Sequence, residues 1–430
     1  MTGLNHAPDA GEFSGADPTA QPDPAAFDAA SFDAVVVGGG PAGATAALEL
    51  ARAGYRTALI ERGGRIKPCG GAIPPRLIQD FAIPRHLLKA EISSARMIAP
   101  SGRIVDMPID NGFVGMVDRD EFDEFLRDRA AKAGAVRITG QFEALEEGYG
   151  GLRTIRLKAP VDITSGPSPL LADRLRARLV VGADGARSSL ARQALPRQKP
   201  VPSVFAYHEI VASEGSSAEP ASGRAARCDV FYQGAISPDF YGWVFPHGET
   251  TSIGTGTAKK GYGLRKAVAD LRTASGYVDA RTIRREGAPI PLKPLKRWDD
   301  GRNVVLAGDA AGVVAPASGE GIYYAMESAR IVAEAGIAFL ATGKAEALKS
   351  ARARFMGDHG RIFMILGMLQ SVWYRSDWLR ERFVAICRDR DVQRLTWESY
   401  MHKRLSRASP AAHARILWQN IGHYLGWRPA

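Results

Sequence analysis

Ala34-Val35-Val36-Val37-Gly38-Gly39-Gly40-Pro41-Ala42-Gly43 is the stretch that decides the fold. Its wholly apolar, β-branched start reads as a strand buried on both faces, as inside a parallel sheet. Ala44 to Ala53 continues with helical composition and stops at Gly54, and Thr57-Ala58-Leu59-Ile60 is a second buried strand. Strand, glycine turn, helix and strand make the βαβ unit that holds a dinucleotide. Gly38 permits the tight turn, Gly40 lets backbone approach a pyrophosphate, and Gly43 lets helix and strand close together. Together with Ala42 they set the positive end of the helix against the phosphates. Glu61 stands 18 residues beyond Gly43, at the end of the second strand, with Arg62 beside it. That carboxylate is placed to accept hydrogen bonds from an adenosine ribose.

The glycine turn serves NAD(P) and FAD alike, so later segments must separate them. Val181-Gly182-Ala183-Asp184-Gly185-Ala186-Arg187-Ser188 places an acid and glycines after the buried strand Leu179-Val180-Val181-Gly182. Leu306-Ala307-Gly308-Asp309-Ala310-Ala311-Gly312 repeats the arrangement after the strand Asn303 to Leu306, and Gly319-Glu320-Gly321 then leads into a helix. Asp184 or Asp309 at a strand end can bind ribityl hydroxyls, or can simply cap its turn. A helix starting near Gly319 and Gly321 aims its positive end at the negative pyrimidine edge of a reduced flavin. In this order the three segments point to FAD. No second Gly-x-Gly-x-x-Gly unit occurs between residues 90 and 300, so NADPH, if it is the reductant, docks transiently.

Composition narrows the class. The 430 residues are 45% hydrophobic and 24% charged, as in a soluble globular protein of two or three cores. No run of 18 apolar residues suggests a membrane span, and the N-terminus does not read as a secretory signal. Cys69, Cys228 and Cys387 are too far apart for a disulfide framework or a metal site, so no metal is expected and a reducing cytoplasmic location fits. Residues 1–33 hold six acids and no Lys or Arg, leaving 56 basic against 40 acidic residues in the remainder, a net of +16. Residues 344–430 carry 16 basic and seven acidic residues together with Trp373, Trp378, Trp397, Trp418 and Trp427. Two readings fit: a face for an anionic, photosynthetic membrane, or a solvated helical cap with core tryptophans. No nucleic-acid partner is expected.

The expected organisation is an α/β fold, α+β overall. A disordered tail at 1–31 precedes a Rossmann-like FAD-binding domain of residues 32–195 and 293–344, which includes inserted strands around 70–115. An antiparallel-sheet substrate domain occupies 196–292 and a helical region 345–430. Asp120 to Ala133 has helical spacing, with apolar residues at Phe122, Phe125, Leu126 and Ala130.

The ordered set of motifs resembles the FAD-binding fold of the aromatic hydroxylases. Within it the chain is similar to the geranylgeranyl reductase family, especially its chlorophyll and bacteriochlorophyll branch, over most of residues 32–400. The specific pieces are KPCGGAIPP at Lys67 to Pro75, VDRDEFDEFL at Val117 to Leu126 and YGWVFP at Tyr241 to Pro246. The resemblance implies Arg119 near the flavin phosphates, Cys69, Gly70 and Gly71 near its ring, and the aromatic strand along a lipid channel. It further implies NADP-linked reduction of a geranylgeranyl group to phytyl in three steps. That group is carried on (bacterio)chlorophyll or as the diphosphate, and Cys69, or a water near it, is the candidate proton source. Taken alone, these residues have plainer readings. Tyr241, Trp243 and Phe245 share one face of a strand as an isoprenoid wall or as core. Cys69 is a reactive thiol or a small buried hydrophobe, and Arg119 is a surface charge. An FAD-dependent monooxygenase and a non-enzymatic pigment or prenyl-lipid carrier are the alternatives.

Overall fold

β1 (Ser31–Val37) takes the middle of a parallel sheet because, Asp33 apart, the whole strand is buried. β2 (Thr57–Glu61) pairs with it in parallel on one side and β11 (Leu170–Gly182) on the other. β8 (Val136–Thr139) extends the sheet beyond β2, and β17 (Val304–Leu306) joins the last residues of β11, both in parallel. β10 (Arg153–Ile163) and β9 (Phe142–Glu147) complete the seven strands in antiparallel fashion. The molecule was analysed as a computed structural model, which describes residues 30–64, 66–110, 112–163, 170–213 and 227–403. Most of the tail expected at 1–31 lies outside them, as do Trp418 and Trp427.

α1 (Pro41–Arg52) starts three residues before the expected Ala44. The proline ring presets a helical φ and lacks the N–H that a first turn leaves orphaned. The short α2 (Pro75–Asp80) follows, then α3 (Arg119–Lys132), whose Phe122, Leu126 and Ala130 are buried as its spacing predicts. α4 (Ser189–Ala194) and α5 (Leu264–Ala274) are followed by α6 (Ile322–Thr342), which lies with α3 against α1. α7 (Glu346–Trp373) packs on α6, and α8 (Asp377–Ile386) and α9 (Arg390–His402) follow. Among the described residues no helix is long and apolar enough to cross a membrane.

The second sheet runs β16 (Thr282–Pro291), β12 (Ser203–Ala212), β15 (Thr250–Thr257), β14 (Gly242–His247) and β13 (Arg227–Phe231), all antiparallel neighbours. It does not stop there. β5 (Ser94–Ile98) pairs in parallel with β13, and β6 (Ile104–Pro108) closes the edge. Residues 94–108, grouped above with the nucleotide-binding part, are thus hydrogen-bonded into the other sheet. Local pattern marks a strand but does not choose its partner across 130 residues of chain. A third sheet of β3 (Ala72–Ile73), β7 (Val114–Val117) and β4 (Leu88–Ile92) touches β14 and carries the Cys69 segment at its end.

Candidate active site

The three glycines of the first turn have different surroundings. Gly38 has φ +106°, and a Cβ there would lie 2.4 Å from the Ala183 carbonyl oxygen. At Gly43 a Cβ would lie 1.7 Å from the Gly38 carbonyl oxygen, so these two close the strand onto the helix. A Cβ at Gly40 would meet no protein atom within 4 Å. Gly40, Gly38 and Ala42 line a cavity of about 430 Å³ whose walls also include Glu61, Arg62, Asp184 and Asp309. The α1 N-terminus has no side-chain cap, so its N–H groups are available to an anion. The Glu61 carboxylate accepts from Gly39 N–H at 2.7 Å and from Arg62 N–H at 2.8 Å. Open space, an uncapped helix end and an acid at the tip of β2 fit a dinucleotide.

The two strand-end acids differ. Asp184 accepts from the Ser188 hydroxyl, from Ser189 N–H at 2.7 Å and from Leu190 N–H at 3.2 Å, which makes it the anchor of α4. Burial pushes its carboxyl above the usual range, and those hydrogen bonds pull the other way. Asp309 lies in a 3-10 turn, Gly308–Ala311, and among the described residues its carboxylate accepts only from the Lys67 ammonium, at 2.7 Å. A Cβ at Gly321 would lie 3.8 Å from Asp309 Oδ1, so the uncapped start of α6 faces this acid.

Sequence reasoning passed over Lys67 and Arg127, and both line the cavity. Lys67 stands two residues before Cys69 in the quoted segment. Arg127 stands two turns after Arg119 on the face of α3 shared by Asp123, and donates to the Gly39 carbonyl at 3.1 Å. Arg119 is not a surface charge. It is 4% exposed, and its guanidinium grips both oxygens of Asp123 at 2.8 and 2.7 Å. The Cys69 thiol also interacts with this guanidinium. Its sulfur also accepts from Gly71 N–H at 3.4 Å.

Tyr241, Trp243 and Phe245 form one row, with ring centroids 6.1 and 6.3 Å apart. Gly70 lies against Phe245 at one end of the row. Gly319, with φ +67°, lies against Phe240 and Tyr241 at the other, where the Tyr241 hydroxyl donates to the Ser318 carbonyl at 2.5 Å. The row therefore spans from the Cys69 segment to the start of α6. Tyr241 and Trp243 are buried in one apolar cluster with Trp373 and Tyr374, against which Phe245, Phe383 and Trp397 pack. Beside it a buried Glu320–Lys403 ion pair ties the end of α9 to the Gly319–Gly321 loop. Of the described C-terminal tryptophans, Trp373 is core, Trp397 half-buried and Trp378 exposed. Trp373 thus follows the core reading of that region.

Residues 105–355 match the family described as FAD binding domain, and residues 32–141 match pyridine nucleotide-disulphide oxidoreductase. A geranylgeranyl diphosphate reductase of Rhodobacter capsulatus is 54% identical over 398 residues, covering 93% of this chain and 98% of the relative. The geranylgeranyl diphosphate reductase of Synechocystis is 36% identical, covering 91% and 97%. Among solved structures, a geranylgeranyl bacteriochlorophyll reductase-like protein from Thermoplasma acidophilum superposes with a TM-score of 0.72 at 20% identity, covering 90% of this chain and 99% of that one. The last likeness concerns the fold, and the sequence relationships carry the assignment: this chain belongs to the geranylgeranyl reductase family of FAD-binding oxidoreductases.

Proposed function

We propose that this protein is an FAD-dependent reductase that converts a geranylgeranyl group to phytyl by saturating three carbon–carbon double bonds. The observation that carries the reading is the aromatic row, Tyr241–Trp243–Phe245, which ends at the Cys69–Gly71 turn. An isoprenoid chain that enters beside that row, parting it from the C-terminal helices packed on it, brings a double bond to Cys69. Gly38, Gly40, Ala42, Gly43, Glu61 and Arg62 hold the adenosine and pyrophosphate part of FAD. Asp309, with Gly319 and Gly321, holds the end near its ring. Bound FAD supplies the electron pair for each reduction, and NADPH is the donor we assign to it.

An isolated trisubstituted alkene is not activated, so the chain's own task is to deliver a proton in a dry cavity. Cys69 is the residue we assign to it. Arg119, buried beside the thiol, stabilises the negative charge left behind. The substrate is the geranylgeranyl group esterified to (bacterio)chlorophyll, and the free diphosphate is its competitor in the assay. Met364, Met368 and Trp378 are 68%, 57% and 48% exposed on α7 and α8, near Arg361, Arg375 and Arg382. We assign this apolar, basic face to an anionic membrane that holds the pigment.

The test is anaerobic incubation of the FAD-loaded protein with NADPH and geranylgeranylated bacteriochlorophyll, with the free diphosphate in parallel, followed by mass analysis. Products heavier by two hydrogens per double bond are expected without oxygen. Oxygen-dependent gain of an oxygen atom would make the protein a monooxygenase. Failure of substrate to reoxidise reduced flavin would make it a carrier. Cys69→Ser should retain FAD and slow reduction, and unchanged turnover would remove Cys69 from the reaction. Binding to anionic vesicles should weaken with salt and when Met364, Met368 and Trp378 are replaced by serine.

A further inference from the structure

We infer that Asp118 and His247 form a charged positioning pair beneath the Cys69–Gly71 turn, with His247 held there as an imidazolium. His247 ends β14 and is 6% exposed. Its Nδ1 lies 2.8 Å from Asp118 Oδ1 and its Nε2 lies 3.1 Å from the Gly70 carbonyl oxygen. A carbonyl oxygen can only accept, so Nε2 carries a hydrogen. An ionised carboxylate can also only accept, so Nδ1 carries one as well. Hydrogens on both nitrogens give the ring a full positive charge.

The alternative, a proton on Asp118, is opposed by its surroundings. Burial alone would push that carboxyl up. The His247 hydrogen bond and the cations Lys89 on β4 and Arg284 on β16 pull it the other way, and it lies below the usual carboxylate range. Lys89 is in turn held by Glu121 and Arg284 by Glu286. β7, which leads into Asp118, bears no ionisable side chain.

The ring leaves the turn no slack. Gly71 has φ +73°, and a Cβ there would lie 2.4 Å from His247 Cε1 and 2.4 Å from the Val117 carbonyl oxygen. The Gly71 carbonyl accepts from Val117 N–H at 2.9 Å, and the Gly70 carbonyl accepts from His247. Both peptide units after Cys69 are thus pinned by groups flanking Asp118. A neutral ring would point a lone pair at one of two oxygens, and the turn would lose one of its holds. The imidazolium thereby fixes where the thiol points. It also places a positive charge beside the turn that carries the thiol, the setting in which thiols in general become more reactive. Neither Asp118 nor His247 touches substrate in this account; both act through the turn. Its catalytic meaning rests on Cys69 as proton donor, but the geometry does not.

The test uses the full-length, FAD-loaded protein and needs no alkene. Histidine ring 15N spectra at pH 7.5 should show both nitrogens of His247 protonated, and Asp118→Asn, which can donate to Nδ1, should return the ring to the neutral form. Peptide-resolved alkylation of Cys69 by iodoacetamide at pH 7.5 should be about threefold to tenfold slower in Asp118→Asn and in His247→Gln. His247→Gln keeps a donor for the Gly70 carbonyl, so flavin content should hold while the thiol slows. A merely structural role would change flavin content or melting temperature and leave the pH profile of the thiol in place. A singly protonated ring in the wild-type protein overturns the proposal, as does a Cys69 rate unchanged in Asp118→Asn. Failure to reduce prenyl groups with both signatures present would count against the proposed function alone.

Discussion

The turns that end β11 and β17 are near twins in sequence, Gly182-Ala183-Asp184-Gly185 and Ala307-Gly308-Asp309-Ala310, yet their acids end in different states. Asp184 is used up inside the fold by one hydroxyl and two backbone N–H groups of α4. Asp309 is held by one lysine ammonium, and Lys67 is itself 35% exposed. The glycine turn divides in the same way: Gly43 is closed on Gly38, while Gly40 faces open space. What separates a position closed within the fold from one left open here is whether the protein has already filled the group's valences, not the motif around it.

Variants should separate the closed positions from the open ones. The largest effect belongs to Gly43→Val, whose side chain would drive into the Gly38 carbonyl. We expect about 4 kcal/mol or more of destabilisation, read as loss of soluble, cooperatively melting protein. Asp309→Ala should fold normally and bind FAD about tenfold to a hundredfold more weakly by fluorescence titration. Gly40→Ala should behave likewise, with stability within about 0.5 kcal/mol of wild type. An equal loss of melting temperature in Gly40→Ala and Gly43→Val would erase the distinction.

Asp184→Ala should cost about 1–2 kcal/mol of stability through the Ser189 and Leu190 N–H groups of α4 that it leaves without their acceptor, with a smaller change in FAD affinity than Asp309→Ala. Asp184→Asn keeps an acceptor and should cost less. Because burial raises the folded-state pKa of Asp184, the folded form holds that proton more tightly than the unfolded chain does. Stability is therefore lost as pH rises from the ordinary carboxylate range through the raised value. Asp184→Asn should flatten that part of a denaturation-against-pH curve. A curve identical to wild type would mean that the α4 hydrogen bonds fully offset burial.

Much of this site was readable along the chain. The buried β1, the glycine turn and Glu61 obey local rules, in which a residue's neighbours within a few positions set its conformation. The aromatic row was readable for the same reason, since alternate residues of a strand share a face. The plain reading of Arg119 as a surface charge failed because burial of a charge depends on a partner, and its Asp123 is visible as an i+4 neighbour only once the buried face of α3 is known. Lys67, His247 and Asp118 gave no local sign. Lys67 meets Asp309 across 242 positions, and His247 meets Asp118 across 129.

Period, turn chemistry and glycine placement were thus settled by the amino-acid order alone, because steric limits and hydrogen-bond demands act over single turns and strands. Which strand edges meet, which carboxylate is left with a single partner, and which histidine lies under Cys69 were decided only when distant segments packed. Those outcomes depend on which groups reach one another across sheets, and only burial makes a polar group's choice of partner energetically decisive.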